Sequence, residues 1–256
     1  MIDVATLEIS WQMLLGLAGV ATLAGFVDAM AGGGGLLTIP AMLMANIPPL
    51  LTLGTNKLQA TAGSLSASVT MIKNNKIHPK QIWQAIIMAF FGAIMGAVAV
   101  QLLPPDMFKK IIPFLMVIIG LYYVFAPNLG EISSEPRMDN KKWVFGVVPF
   151  IALYDGYLGP GTGMFLALGG ILLRGWDMVT STANAKVINF TTNFASLLMF
   201  VFAGQVWWKV GIVMMVGQSI GAYFGASMAI SGGSKLIRPV VVLVCFAMLT
   251  KYVFFS

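Results

Sequence analysis

Long apolar runs separated by short polar breaks dominate this chain. Runs at residues 11–30, 51–72, 82–103, 108–126, 178–203, 210–230 and 236–254 reach or approach bilayer-crossing length, which needs about 20 residues. A further apolar run covers 143–157, and two short ones cover 36–45 and 164–173. The runs are longer than barrel strands and do not alternate apolar with polar, so they read as helices. The pattern predicts an all-α polytopic membrane protein. One hydrophilic stretch of any length interrupts it, at 127–142, holding Glu131, Glu135, Arg137, Asp139, Lys141 and Lys142.

Composition agrees. Hydrophobic residues make up 58% and charged residues 9%, whereas soluble domains carry about a quarter charged residues. Too few charges remain to cover a water-facing surface. Asp3 and Glu8 precede the first apolar run, where a secretory signal carries lysine or arginine, so that run is kept as a membrane element. Cys245 is the single cysteine and His78 the single histidine. An intrachain disulfide and a cysteine metal site are thereby excluded, and an imidazole-based triad has little to start from. No zincin or paired-carboxylate pattern occurs, so neither enzyme activity, cofactor nor metal is expected. The net charge of +6 comes from lysines and arginines scattered at loop ends. Lipid headgroups and topology explain these better than nucleic acid.

The chain also resembles itself. A shift of 129 residues (186 − 57 = 129) lays Lys57 on Lys186, Gly34 on Gly163, Gly92 on Gly221, Gly96 on Gly225 and Ala97 on Ala226. It also lays Tyr123-Val124-Phe125 on Tyr252-Val253-Phe254. One offset without gaps indicates a duplication. The halves are expected at 1–126 and 143–256, joined by a polar cytoplasmic linker at 127–142. The loop Lys73-Asn74-Asn75-Lys76-Ile77-His78-Pro79-Lys80 is basic, whereas its counterpart 203–209 has one lysine and two tryptophans. The positive-inside rule puts the two loops on opposite sides. The halves are therefore expected to be inverted repeats, with Lys235 and Arg238 inside and both termini outside. Lys109 and Lys110 violate this scheme.

Two equivalent breaks interrupt the apolar pattern: Gly32-Gly33-Gly34-Gly35 after Asp28, and Gly159-Pro160-Gly161-Thr162-Gly163 after Asp155. Unwound backbone at membrane depth survives only where it is buried in protein or lines a cavity. The short helix after each break turns its N-terminus, and so its free N–H groups, toward that point, which favours an anion. Close packing through small residues is the competing structural reading. A second pair of segments carries Thr55, Asn56, Lys57, Gln59 and Ser64 in one half, and Lys186, Asn189 and Asn193 in the other. Membrane-embedded charges usually face a pathway or a partner. The candidate anion site therefore comprises Lys57, Lys186, Asn56, Thr55, Ser64, Asn189 and Asn193, with backbone from Gly33, Gly34, Gly35, Gly161, Thr162 and Gly163. The competing reading has each lysine snorkelling to the interface or pairing with a buried carboxylate. Asp28 and Asp155 are candidates for neutralising the lysines or for carrying a coupling proton. Gln59, Gln205 and Gln218 are further polar candidates.

The stretches GFVDAMAGGGGLLTIP (25–40), LGTNKLQATAGS (53–64), YDGYLGPGTG (154–163) and AKVINFTTN (185–193) resemble the TauE/SafE sulfite-exporter (TSUP) family, in its YfcA-like branch. The resemblance spans nearly the whole chain. It implies an inner-membrane permease of about eight transmembrane helices among eight to ten helical elements. The implied substrates are small sulfur-containing or organic anions such as sulfite, sulfoacetate and sulfonates. Asn184-Ala185-Lys186 stands where the first half has Thr55-Asn56-Lys57, which puts strictly symmetric coordination in question. The expected activity is secondary transport by alternating access, with a proton as a candidate coupling ion and a homodimer left open. A passive anion channel is the alternative, and a scaffold or enzyme subunit a weaker one.

Overall fold

The computed structural model describes residues 9–77, 79–102, 125 and 130–255. His78, Lys109, Lys110, the expected span 108–126 apart from Phe125, and Asp3 and Glu8 lie outside these residues. The described part is helical, with no strand. The first half gives α1 (Trp11–Ala31), α2 (Gly35–Met44), α3 (Pro49–Lys73) and α4 (Trp83–Leu102). The second half opens with a helical turn (Asn140–Lys142) and a wider π-type turn (Trp143–Val147), which lead into α5 (Val148–Tyr157). Then follow α6 (Thr162–Arg174), α7 (Met178–Phe202), α8 (Trp208–Gly232) and α9 (Ser234–Phe255).

Helices α1, α4, α7 and α8 are each long and apolar enough to cross a membrane. Their outward faces carry exposed Leu23, Phe91, Met95 and Phe224, as expected where the solvent is lipid. In contrast α2 has 10 residues and α6 has 13. At 1.5 Å per residue neither crosses a hydrocarbon core of about 30 Å. The tetraglycine and the Gly-Pro-Gly segment are what stop α1 and α5 short of them.

The 129-residue offset reappears in the backbone. Helices α3 and α7 start and end at positions related by that shift. So do three pairs of left-handed residues: Gly32 and Gly161 (φ 88° and 83°), Asn46 and Gly175 (57° and 67°), and Asn75 and Gly204 (54° and 67°). Each pair sits at a helix end, where a left-handed residue satisfies terminal carbonyls or redirects the chain.

Packing follows the same pairing. Helix α1 lies against α8, and α4 lies against α5, so each half's first element packs on the other half's fourth. Both contacts rest on backbone-to-backbone approach. A side chain on Gly221 would strike the carbonyl of Thr22, and one on Gly225 that of Phe26. In the other pair, Gly96 abuts the carbonyl of Leu153 and Gly156 that of Ala93. Small residues at such spacing let membrane helices interlock by van der Waals contact, where hydrophobic driving force is absent. The two central helices run antiparallel: Gly54 near the start of α3 meets Phe200 near the end of α7, and Lys57 meets Asn193.

Gly221→Leu should therefore lower the thermal midpoint and monodisperse yield in detergent, because overpacking costs about 1–3 kcal/mol even where side chains alone must yield. Gly19→Leu, with open space around its Cα, should leave both unchanged.

Candidate functional site

The two central lysines sit on α3 and α7, each nine residues into its helix. That depth is about 12 Å from the helix start. Neither snorkels: Lys57 and Lys186 are each 1% exposed. An amine so buried requires a partner, and each finds an aspartate from the opposite half. Lys57 Nζ lies 3.1 Å from Asp155 Oδ1 and donates to the Asp155 carbonyl (2.6 Å) and to Asn193 Oδ1 (3.2 Å). Lys186 Nζ lies 3.0 Å from Asp28 Oδ2. The pairs cross between the halves, and both aspartates close the last turn of the helix that a glycine break ends.

The breaks hold the carboxylates in place. Gly32 in its left-handed conformation ends α1, its N–H donating to the Asp28 carbonyl at 2.7 Å. The chain then doubles back so that Gly34 N–H donates to Asp28 Oδ1 at 3.0 Å. In the second half, Thr162 Oγ1 lies 2.8 Å from both Asp155 Oδ1 and the Gly159 carbonyl, which share its single proton. Tyr154 Oη donates to the Pro160 carbonyl at 2.5 Å. The two breaks touch: a Cβ on Gly163 would stand 2.5 Å from Gly32 Cα and 3.2 Å from Lys186 Nζ. Only hydrogen at both positions allows this approach.

Between the breaks and the lysine helices lies a cavity of about 20 Å³, lined by Asp28, Asn56, Lys57, Asp155, Asn189 and Asn193, with Gly32, Gly35, Gly159, Gly161 and Gly163 on its walls. Ala60 and Gln218 complete it. That volume admits about one water and is too small for a four-heavy-atom oxyanion. On two of its lining residues a buried acceptor, Asp155 Oδ2 and Gln218 Oε1, has no hydrogen-bond partner.

The sequence-derived candidates divide into two groups. Lys57, Asn56, Asn189, Asn193, Asp28, Asp155, Gly35, Gly161 and Gly163 meet at the cavity. Lys186 stands one ion pair behind it, against Gly163. The others are occupied elsewhere. The Ser64 hydroxyl donates to its own helix at the Ala60 carbonyl, 2.6 Å away. The Thr55 hydroxyl accepts from the Trp207 N–H at 2.9 Å and ties the α7–α8 connection to α3. Gly34 and Thr162 serve the aspartates, and Gly33 is not on the cavity wall. Of the open sequence readings for the lysines, carboxylate pairing is the one present here. Two participants were not singled out: Ala60, and Thr38, whose hydroxyl donates to Asn56 Oδ1 at 2.6 Å. Ala60 is the 129-shift counterpart of Asn189, and that symmetry would have found it.

Comparison with known proteins gives the family. Residues 17–252 match the family described as sulfite exporter TauE/SafE. The chain belongs to the TauE/SafE family. This TauE/SafE member is 44% identical to a probable membrane transporter protein of Haemophilus influenzae over 97% of both chains. It is 42% identical to the probable membrane transporter protein YfcA of Escherichia coli K12, covering 93% of this chain and 88% of the relative. With the probable membrane transporter protein ORF9 of a Sinorhizobium species, identity is 41% over 94% and 92%. No solved structure matches it.

Removing one member of a buried ion pair strands its partner and costs about 3–5 kcal/mol, while replacing both with apolar groups often costs little. Lys57→Ala in this TauE/SafE protein should accordingly unfold at markedly lower denaturant concentration in detergent. The double variant Lys57→Met/Asp155→Leu should recover most of the loss, as read by the same denaturation curve.

Proposed function

We propose that this protein is a secondary transporter of a small anion, and that the anion binds where the two lysine–aspartate pairs flank the closed central cavity. The carrying observation is the crossed pairing itself. Two cations and two carboxylates are fixed at one buried place, on helices from both halves, beside backbone that has been freed by helix breaks. A structural ion pair alone needs neither the breaks nor a polar cavity.

Charge bookkeeping gives the mechanism. With both pairs intact the site is neutral. An arriving anion attracts Lys57 or Lys186 only by displacing an aspartate, and the displaced carboxylate then stands uncompensated in a buried place, at a cost of several kcal/mol. A proton on that carboxylate removes the cost. Asp155 Oδ2, buried and unpartnered, is the atom positioned to take it. Anion entry and protonation of Asp155 are thereby linked, and the coupling ion is a proton.

The family name and the anion-favouring site support a sulfur oxyanion or organosulfonate as cargo: sulfite, sulfoacetate or a related sulfonate. The two halves, 1–126 and 143–256 about the polar linker 127–142, act as inverted repeats. The antiparallel α3 and α7, the exchanged α1–α8 and α4–α5 contacts and the shared offset support this. Rocking one half against the other opens the cavity alternately to each side. On this reading about eight helices cross a bacterial inner membrane, with the basic loops in the cytoplasm and both termini in the periplasm.

Reconstituted vesicles test it. Sulfite or sulfoacetate flux should accelerate under an imposed pH gradient, fall to background in Lys57→Ala and Lys186→Ala, and lose its response to the gradient in Asp155→Asn. Folded variants that transport normally would remove the site assignment. Flux indifferent to the gradient in the wild-type protein would favour a passive anion channel.

A further inference from the structure

A second cavity lies away from the central one, at the end of the bundle that carries the loop before α4 and the polar linker. It has a volume of about 320 Å³ and opens beside Gln81 and Asn140. That size falls within the range of small-ligand pockets. Its deeper wall is formed by Trp143, Trp176 and Ala85, and its polar groups are Gln84, Arg174, Thr180 and Asn184. Among the described residues no acidic side chain lines it.

The duplication supplies an internal control for this cavity. Shifting its lining by 129 residues lands on Leu14 for Trp143, Ile47 for Trp176 and Leu51 for Thr180. Likewise Val210 stands for Gln81 and Met214 for Ala85. Those five apolar residues are buried together in one packed cluster at the other end of the molecule. The same scaffold is thus filled by aliphatic side chains at one end, whereas at the other two indoles pack with Ala85 in a second cluster beside a hollow that also has polar groups on its wall. The replacement of Met214 by Ala85 opens the space, and Thr180 and Gln81 make its wall polar. Packing alone would favour filling the hole, because an unfilled cavity destabilises.

The arginine defines what the hollow takes. Arg174, at the end of α6, has Ala45 as its counterpart. Its Nη1 donates to the Met138 carbonyl of the linker, which leaves the Nε–Nη2 edge. Nε is buried and has no hydrogen-bond partner. Its guanidinium lies 5.9 Å from the centre of the Trp176 ring, and Trp176 meets Trp143 edge-on at 6.0 Å. Glycines make room for both rings: a Cβ on Gly169 would stand 3.0 Å from Trp143, and one on Gly170 would stand 2.7 Å from Trp176. The π-type turn Trp143–Val147 runs along the same wall, whereas the equivalent stretch of α1 is regular helix. Such turns recur where a helix is adapted to a function.

We propose that this cavity is a second, one-sided anion site, in which the Arg174 guanidinium attracts an oxyanion while the two indole rings cover its organic body. A guanidinium is a strong charge-assisted partner for a sulfonate, carboxylate or phosphate oxygen. The amides of Gln84 and Asn184 and the Thr180 hydroxyl supply secondary partners. Such a ligand arrives either free in the water phase, as an organosulfonate, or as the headgroup of an anionic phospholipid. The site is independent of the central lysines, so it stands whether or not they bind cargo.

Purified full-length protein tests the proposal with two probes. Radiolabelled sulfoacetate in equilibrium dialysis, with the Lys57→Met/Asp155→Leu variant run alongside to subtract binding at the central site, reports the free anion, and native mass spectrometry of protein in phosphatidylglycerol-containing micelles reports retained lipid. Arg174→Gln should weaken binding of one probe by about 10- to 100-fold, the range expected for losing a charge-assisted clasp. Ala85→Met, which copies the filled end, should abolish it. Arg174→Lys should restore it only in part. Melting curves establish that each variant is folded, and Thr180→Leu gives a second way of filling the space should Ala85→Met fail that check. Loss of sulfoacetate binding with lipid retention unchanged identifies a free anion, and the reverse identifies a headgroup. Equal binding of both probes to wild type, Arg174→Gln and either folded filling variant overturns the proposal.

Discussion

Two positive charges are buried inside this bundle, and the arrangement of the molecule's centre follows from the need to satisfy them. Neither lysine finds its carboxylate within its own half. Lys57 of α3 takes Asp155 from the end of α5, and Lys186 of α7 takes Asp28 from the end of α1. Each half therefore leaves an unpaired buried charge unless the other is docked in register. The cost of a stranded ion, several kcal/mol, makes the docking of the halves selective. The glycine breaks end α1 and α5 just beyond the aspartates, where backbone and hydroxyl donors can also reach the carboxylates.

The same arrangement accounts for why the site is closed. With each lysine held by its aspartate and the Gly32 and Gly163 backbones in contact, the remaining space holds about one water. The α1–α8 and α4–α5 contacts are interlocked through glycines. Those contacts join helices from different halves.

Most of this fold was readable from residue pattern. Every expected run within the described residues became a helix, and its limits moved by only a few positions, as at Trp11–Ala31 and Met178–Phe202. The short runs at 36–45 and 164–173 emerged as the short helices α2 and α6 because glycine and proline punctuate strongly. The offset of 129 located the lysines, the breaks and the antiparallel centre together. What residue pattern left open was partnership. Lysine pairing and lysine exposure look alike in one dimension, because Asp155 is 98 positions from Lys57 and no local spacing links them. Ser64 and Thr55 share faces with polar neighbours, yet their hydroxyls are taken by backbone groups within reach, a competition that hydroxyl residues in apolar helices usually settle that way. The second cavity became visible only once the halves were compared position by position in three dimensions.

The central claim is that an anion enters between the lysine–aspartate pairs and takes a lysine from its carboxylate. A crystal structure of the protein grown with selenite, a heavier analogue of sulfite, tests it directly through the anomalous signal of selenium. The account predicts a peak in the enlarged cavity, within hydrogen-bond distance of Lys57 or Lys186, with that lysine released from Asp155 or Asp28. A selenium peak elsewhere, with both pairs intact and the cavity still closed, would contradict it.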